Sequence, residues 1–132
     1  MKSYIKSFIK TLTASDIDST ASNQHELHGV KKLEAIFGVI PHGVDGRDER
    51  MATLKIGSSD RGIPIKITWY NARASNPNRH EYRLYYCANS DVVMNQRQAG
   101  DDVFIGEDSS GHIDIIIFPG RCSGHSDWTS LD

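Results

Sequence analysis

Alternation of apolar and polar residues predicts that β-strands make up most of this chain. The clearest case is Gly62–Tyr70, in which every second residue is large and apolar, as in a strand with one buried face. Met51–Ile56 alternates in the same way, and the turn-rich residues 57–62 connect the two segments. Such a connection is typical of a hairpin.

A second hairpin is predicted closer to the end of the chain. Asp102–Ile105 and His112–Phe118 are apolar segments, and the polar residues Glu107–Gly111 between them predict a turn. Glu81–Ala88 is rich in tyrosine, which favours another strand.

One helix is predicted over Lys31–Phe37, because its apolar residues have helical spacing and Gly38 is placed to end it. Asp91–Gln98 fits a helical turn or a loop, and Pro41–Arg50 fits a polar insertion. Several short strands with one or two short helices predict an α+β, mainly β fold. We expect an antiparallel sheet that is closed or nearly closed on itself.

Length and composition indicate a soluble globular protein. The 132 residues suit one domain, and 38% hydrophobic with 24% charged residues excludes a disordered or fibrous chain. No apolar run approaches the roughly 20 residues of a membrane span, and lysines interrupt the first ten residues, unlike a secretion signal. We therefore expect a cytoplasmic protein with no membrane partner.

The net charge of −2 conceals an uneven distribution. Residues 1–99 contain 14 Lys and Arg against 10 Asp and Glu, whereas residues 100–132 contain 1 against 7. An anion-binding face must therefore come from the first hundred residues.

Candidate metal and catalytic residues are sparse. Cys87 and Cys122 form no Cys-x-x-Cys pair, so reduced thiols are expected, and His125 completes no standard zinc spacing. The closest approach to a metal-dependent nuclease motif is Asp60 with Pro64–Lys66, where proline occupies a carboxylate position. We expect no cofactor, no metal and no active site in this chain.

Two long polar segments carry the candidate binding chemistry. The first, Thr11–His25, consists almost entirely of small or hydrogen-bonding side chains, which suit either a solvated loop or contacts with phosphates and adenine edges. In the second, Asn71–Arg83, a two-residue strand period would put Arg79, Glu81 and Arg83 on one face. Arginine matches the O6 and N7 atoms of guanine, and a carboxylate accepts from the N4 amine of cytosine. A row of surface ion pairs, worth about 0–1 kcal/mol, is the alternative explanation.

Both segments resemble the N-terminal effector domain of EcoRII-type restriction endonucleases, a pseudobarrel also found in plant B3 DNA-binding domains. Thr13–Gln24 matches the motif of that family's first arm without gaps, and Tyr70–Arg73 with Arg79–Arg83 matches the motif of its second. The resemblance runs from about Ile9 to Phe118.

The resemblance implies a B3-like pseudobarrel over residues 1–132 that binds double-stranded DNA through two major-groove arms. It also implies a CCWGG-like site and a bacterial type II restriction enzyme, such as a UbaLAI-like one, whose C-terminal nuclease domain is a further partner. The base contacts implied are Arg79, His80, Glu81, Tyr82, Arg83, Asn23, Gln24 and His25. The DNA-backbone contacts implied are Lys10, Ser22, Lys31, Asn71 and Arg73.

A small β-barrel that binds carbohydrate or protein is the alternative class. Its sugar-stacking candidates are Trp69, Tyr82, Tyr85, Tyr86 and Trp128. At strand spacing, such aromatic residues are more often part of a core.

Overall fold

The computed structural model describes residues 3–13, 26–27, 30–39, 47–57, 62–71, 82–86, 100–120 and 128–131. Within these residues the strands are β1 (Lys6–Thr11), β2 (Glu26–Leu27), β3 (Arg47–Ile56), β4 (Ile63–Asn71), β5 (Tyr82–Tyr86), β6 (Asp102–Glu107), β7 (Ile113–Phe118) and β8 (Thr129–Ser130). A 3₁₀ turn, Lys31–Leu33, continues into the one-turn helix α1, Glu34–Phe37.

The strands form one curled, half-barrel sheet in the order β2-β5-β4-β3-β7-β6-β1-β8. The predicted mainly β fold with a short helix is confirmed. The sheet is mixed, however, because β3 pairs with β7 and β1 with β8 in parallel. The expectation of an antiparallel sheet is wrong at these two pairings, since alternation reports which face of a strand is buried and not which strand lies beside it.

Both predicted hairpins are confirmed. β4 pairs antiparallel with β3, and β7 pairs antiparallel with β6. Two boundaries differ from the prediction: β3 begins at Arg47, inside the predicted polar insertion, and β6 continues through Glu107, which was assigned to the turn. Asp108 instead organises this turn, because its Oδ1 accepts hydrogen bonds from the backbone N–H groups of Ser110 and His112 at 2.9 and 3.0 Å.

The main core covers one face of the sheet, which we call the inner face. Trp69 of β4 is fully buried there, and its ring stacks between Phe37 of α1 and Tyr82 of β5 at centroid distances of 5.2 and 4.6 Å. The indole Nε1 donates to the Gly38 carbonyl at 3.0 Å. Gly38 adopts a φ of +88°, a conformation that glycine tolerates, and ends the helix as predicted.

Charged side chains occupy the inner face at one end of the sheet, and they explain both boundary differences. The Arg50 guanidinium donates to Asp48 at 3.0 Å and lies 3.7 Å from the Glu107 carboxylate, which is also 3.9 Å from the Lys6 ammonium. Lys6 further donates to the Ala35 carbonyl. Ion pairing thus allows polar residues to continue strands that hydropathy alone would end.

The opposite, outer face carries a smaller aromatic cluster on β6 and β7. Phe104 is buried beneath Tyr4 and Trp128, with ring centroids 4.8 and 4.4 Å away. Gly106 makes room for this packing, since a Cβ atom there would lie 2.5 Å from the Phe104 ring and 2.8 Å from the Tyr4 ring. Chain segments before β1 and before β8 therefore cover part of the outer face.

Candidate nucleic-acid interface

The second polar segment begins and ends on neighbouring strands. Asn71, the last residue of β4, lies directly opposite Tyr82, the first residue of β5. Residues 72–81 therefore connect two antiparallel strands that are paired up to this point. Of the predicted base and backbone contacts, those outside the described residues are Ser22, Asn23, Gln24, His25, Arg73, Arg79, His80 and Glu81.

Tyr82 and Arg83 lie on opposite faces of the sheet. The Tyr82 side chain belongs to the inner core and is 2% exposed, with its ring parallel to that of Trp69 within 4°. Arg83 is half-buried and pairs in register with Tyr70, on the outer face. The alternation predicted for this segment thus holds at these two positions. The Tyr82 ring lies in the core and not at a surface that a nucleobase can reach. It therefore anchors the start of β5, where the second polar segment ends.

Arg47, Tyr70 and Arg83 form a row across three strands of the outer face, which we call the cationic row. Arg47 of β3 is in register with Tyr70 of β4, which is in register with Arg83 of β5. The Arg47 guanidinium carbon lies 4.7 Å from the centroid of the Tyr70 ring, a cation–π distance. Two positive charges and an aromatic ring therefore flank the strand ends from which the second segment extends.

The two acidic residues that follow Arg47 in the chain are paired with other cations. Asp48 points to the inner face and pairs with Arg50 at 3.0 Å. Glu49 is on the outer face, where its carboxylate is 2.6 Å from the Lys66 ammonium. The carboxylates of Asp48 and Glu49 are therefore paired with cations other than Arg47.

The three predicted backbone contacts that the structure describes differ in accessibility. Lys31 is exposed at the start of the 3₁₀ turn. Lys10 and Asn71 point to the inner face and are only 5% and 6% exposed. A phosphate contact is therefore compatible with the placement of Lys31, whereas Lys10 and Asn71 offer little surface to a ligand in this conformation.

A polar cluster on the outer face was not identified from the sequence. The buried Asp114 carboxylate accepts a hydrogen bond from the Tyr4 hydroxyl at 2.8 Å and lies 3.2 Å from His112 Nε2. Burial, followed by the hydrogen bond to Asp114, raises the pKa of Tyr4 well above its usual value. No sequence signal joins Tyr4 to Asp114, because they are 110 residues apart in the chain.

The same cluster does not have the geometry of a hydrolytic triad. His112 Nε2 is 2.8 Å from the Thr53 hydroxyl as well as 3.2 Å from Asp114. In a triad, one ring nitrogen accepts the proton of the nucleophile while the other donates to the carboxylate. Here a single nitrogen contacts both groups, so the imidazole cannot serve as a base for Thr53 in this arrangement.

Neither a metal site nor a membrane span is found in the part of the chain that the structure describes. No three His, Cys, Asp or Glu side chains among these residues are grouped to hold a metal ion. None of its helices is long and apolar enough to cross a bilayer. Cys87, Cys122 and His125 lie outside the described residues.

Comparisons with known proteins reveal a structural likeness but no match in sequence to a known family. No protein-family model and no curated protein matches the chain. The fold is similar to a solved structure titled "Arabidopsis FUS3-DNA complex", with 18% sequence identity and a TM-score of 0.48. The likeness covers 88% of this chain and 97% of that one.

Proposed function

We propose that this chain binds double-stranded DNA in a sequence-specific manner through its two polar segments. Arg79, Glu81 and Arg83 would contact base edges in the major groove. Arg73 and Lys31 would contact phosphates. The chain itself would carry no active site.

The observation that carries this proposal is the position of the cationic row. Arg83, a residue implied to contact bases, is on the outer face beside the Tyr70 ring, which in turn stacks with Arg47. If the strand period of β5 continues backwards, Glu81 and Arg79 share this face with Arg83. A carboxylate between two arginines suits adjacent G·C pairs, because the arginines donate to guanine and the carboxylate accepts from cytosine.

Burial of two candidate aromatic residues weighs against a carbohydrate-binding barrel. Trp69 and Tyr82 are 0% and 2% exposed and stack on each other, so a sugar ring cannot stack on either. Trp128 packs against the rings of Phe104 and Phe118. Protein binding remains the second candidate, and it makes a different prediction about salt.

Salt dependence separates these classes. Each phosphate contact contributes a slope of about −0.9 to the plot of log affinity against log salt concentration. We expect a steep negative slope for binding to a duplex. A duplex affinity that does not change between 50 and 200 mM salt would refute DNA binding, and a protein-binding function would then be favoured.

Two substitutions separate base reading from backbone contact. Glu81→Ala removes the carboxylate that would accept from cytosine, so it should relax preference at one base pair by about 1–3 kcal/mol. Arg73→Ala serves as the matched control, because a lost phosphate contact should weaken all duplexes about equally. Unchanged selectivity of Glu81→Ala, measured by competition among single-substituted duplexes, would contradict the base-reading role.

We further propose that the chain is the effector domain of a type II restriction endonuclease with a CCWGG-like site. The two-segment motif supports this parent. Binding of a second site to this domain would then activate the nuclease domain of the same polypeptide by a coupling free energy between the two sites. In the full-length enzyme, a short CCWGG duplex added in trans should stimulate cleavage, and an equal amount of scrambled duplex should not.

A further inference from the structure

We propose that Arg47 is a phosphate-contacting residue that extends the DNA-binding surface from the second polar segment onto strand β3. This inference rests on the proposed DNA-binding function. Arg47 lies outside both polar segments and outside the motifs that suggested DNA binding. Only the register of the sheet brings it beside Tyr70 and Arg83.

The stacking of Arg47 on Tyr70 leaves the donors of the guanidinium available. A cation–π contact engages the flat face of the guanidinium, here 4.7 Å above the ring centroid. The five N–H groups point outward in the plane of the guanidinium, in the fork geometry that matches two phosphate oxygens. Arg47 is also an exposed residue, so a duplex can approach these donors.

The surroundings of Arg47 favour an external anion. The two acidic residues that follow it in the chain, Asp48 and Glu49, are paired with Arg50 and Lys66. Restriction of the side chain by Tyr70 also reduces the conformational entropy that binding would otherwise cost. Without a bound anion, the contact with the Tyr70 ring would stabilise an exposed arginine by only about 0.5–1 kcal/mol.

The position of Arg47 fits contact with the backbone of the DNA that the second segment would read. Arg47 and Arg83 lie on the two sides of Tyr70, each one strand away, and neighbouring strands are about 4.8 Å apart. The guanidinium of Arg47 therefore lies over Tyr70, near the end of β4 from which the second segment continues, and on the same face of the sheet as Arg83.

The test is the salt dependence of duplex binding by Arg47→Ala, Arg47→Lys and Lys55→Ala. Lys55 is a matched control, because it lies on the same face of β3 eight residues further along, about 27 Å away. Affinities for a site-containing duplex and a scrambled duplex would be measured by fluorescence anisotropy between 50 and 200 mM salt. Thermal denaturation would establish that each variant is folded.

We expect Arg47→Ala to reduce the salt slope by about 0.9 on both duplexes. The wild-type affinity should then fall about 3.5-fold more than that of the variant over this fourfold change in salt. Arg47→Lys should keep the slope because it keeps the charge, and Lys55→Ala should match wild type.

Failure of this inference can be distinguished from failure of the proposed function. If wild type binds duplexes with a steep slope and Arg47→Ala has the same slope, Arg47 makes no phosphate contact and the inference is wrong. An equal reduction of the slope by Lys55→Ala would also overturn it, because the effect would then be one of general charge. If wild type shows no salt-dependent binding to any duplex, the proposed function itself fails.

Discussion

Replacing Tyr82 with alanine should destabilise the whole fold, because the ring is part of the inner core. The side chain is 2% exposed and lies parallel to the fully buried Trp69 at a centroid distance of 4.6 Å. Truncating a buried aromatic residue costs about 3–5 kcal/mol, and this includes the cavity left beside the indole. For a domain of this size, that cost lowers the melting temperature by roughly 10–20 °C.

Tyr82→Phe provides the matched comparison, since it keeps the stacked ring and removes only the hydroxyl. We expect it to cost no more than about 1.5 kcal/mol, the value of one hydrogen bond. Chemical denaturation gives the free energy of unfolding of both variants. Under conditions in which both variants are folded, Tyr82→Phe should bind duplexes with the wild-type base preference. If Tyr82→Ala retains wild-type stability but loses selectivity, the ring contacts DNA and its assignment to the core is wrong.

Four further substitutions test the packing and charge assignments. Glu107→Gln should lower the free energy of unfolding by about 1–3 kcal/mol, because a nearly buried carboxylate between two cations is lost. Glu49→Gln breaks an exposed ion pair and should cost less than about 1 kcal/mol. Equal costs in urea denaturation would contradict this difference. Because the pKa of Tyr4 is raised in the fold, the contribution of its hydroxyl to the free energy of unfolding is complete below about pH 10 and is lost as pH rises through the folded pKa. Between pH 9 and 11, Tyr4→Phe should therefore lose less unfolding free energy than wild type. An equal loss would refute the assignment. Gly106→Ala should lower the free energy of unfolding by about 1–3 kcal/mol in the same denaturation assay, since the added Cβ would lie 2.5 Å from the Phe104 ring. Unchanged stability would show that the ring can move aside.

The sequence predicts the elements of this fold wherever one face of a strand is apolar. Gly62–Tyr70 alternates clearly, and β4 occupies almost the same residues. Alternation gives no prediction at Asp48, Arg50 and Glu107, because these side chains face inward but are charged. Asp48 pairs with Arg50 on its own strand, whereas Glu107 pairs with Arg50 and Lys6 of strands that are distant in the chain. The parallel pairing of β3 with β7 is likewise absent from any local pattern.

The candidate site is predictable only in part, for a similar reason. The two-residue period predicts that Arg83 and Tyr82 face opposite ways, and the structure agrees. The same period could have identified Tyr82 as a core residue, although the matched motif implied a base contact. Arg47 could not have been found from the sequence, because it reaches Tyr70 through the register of β3 and β4, across 23 positions of the chain.

Selection from a random duplex library, followed by sequencing, tests the central claim most directly. With the wild-type chain at about 0.1 M salt, the pairing of arginine with guanine and of carboxylate with cytosine predicts enrichment of a short motif with adjacent G·C pairs. Glu81→Ala, selected in parallel, should lose the enrichment at one of these pairs only. A library that emerges without enrichment, although the protein is folded and retains duplex, would contradict sequence-specific reading by this chain.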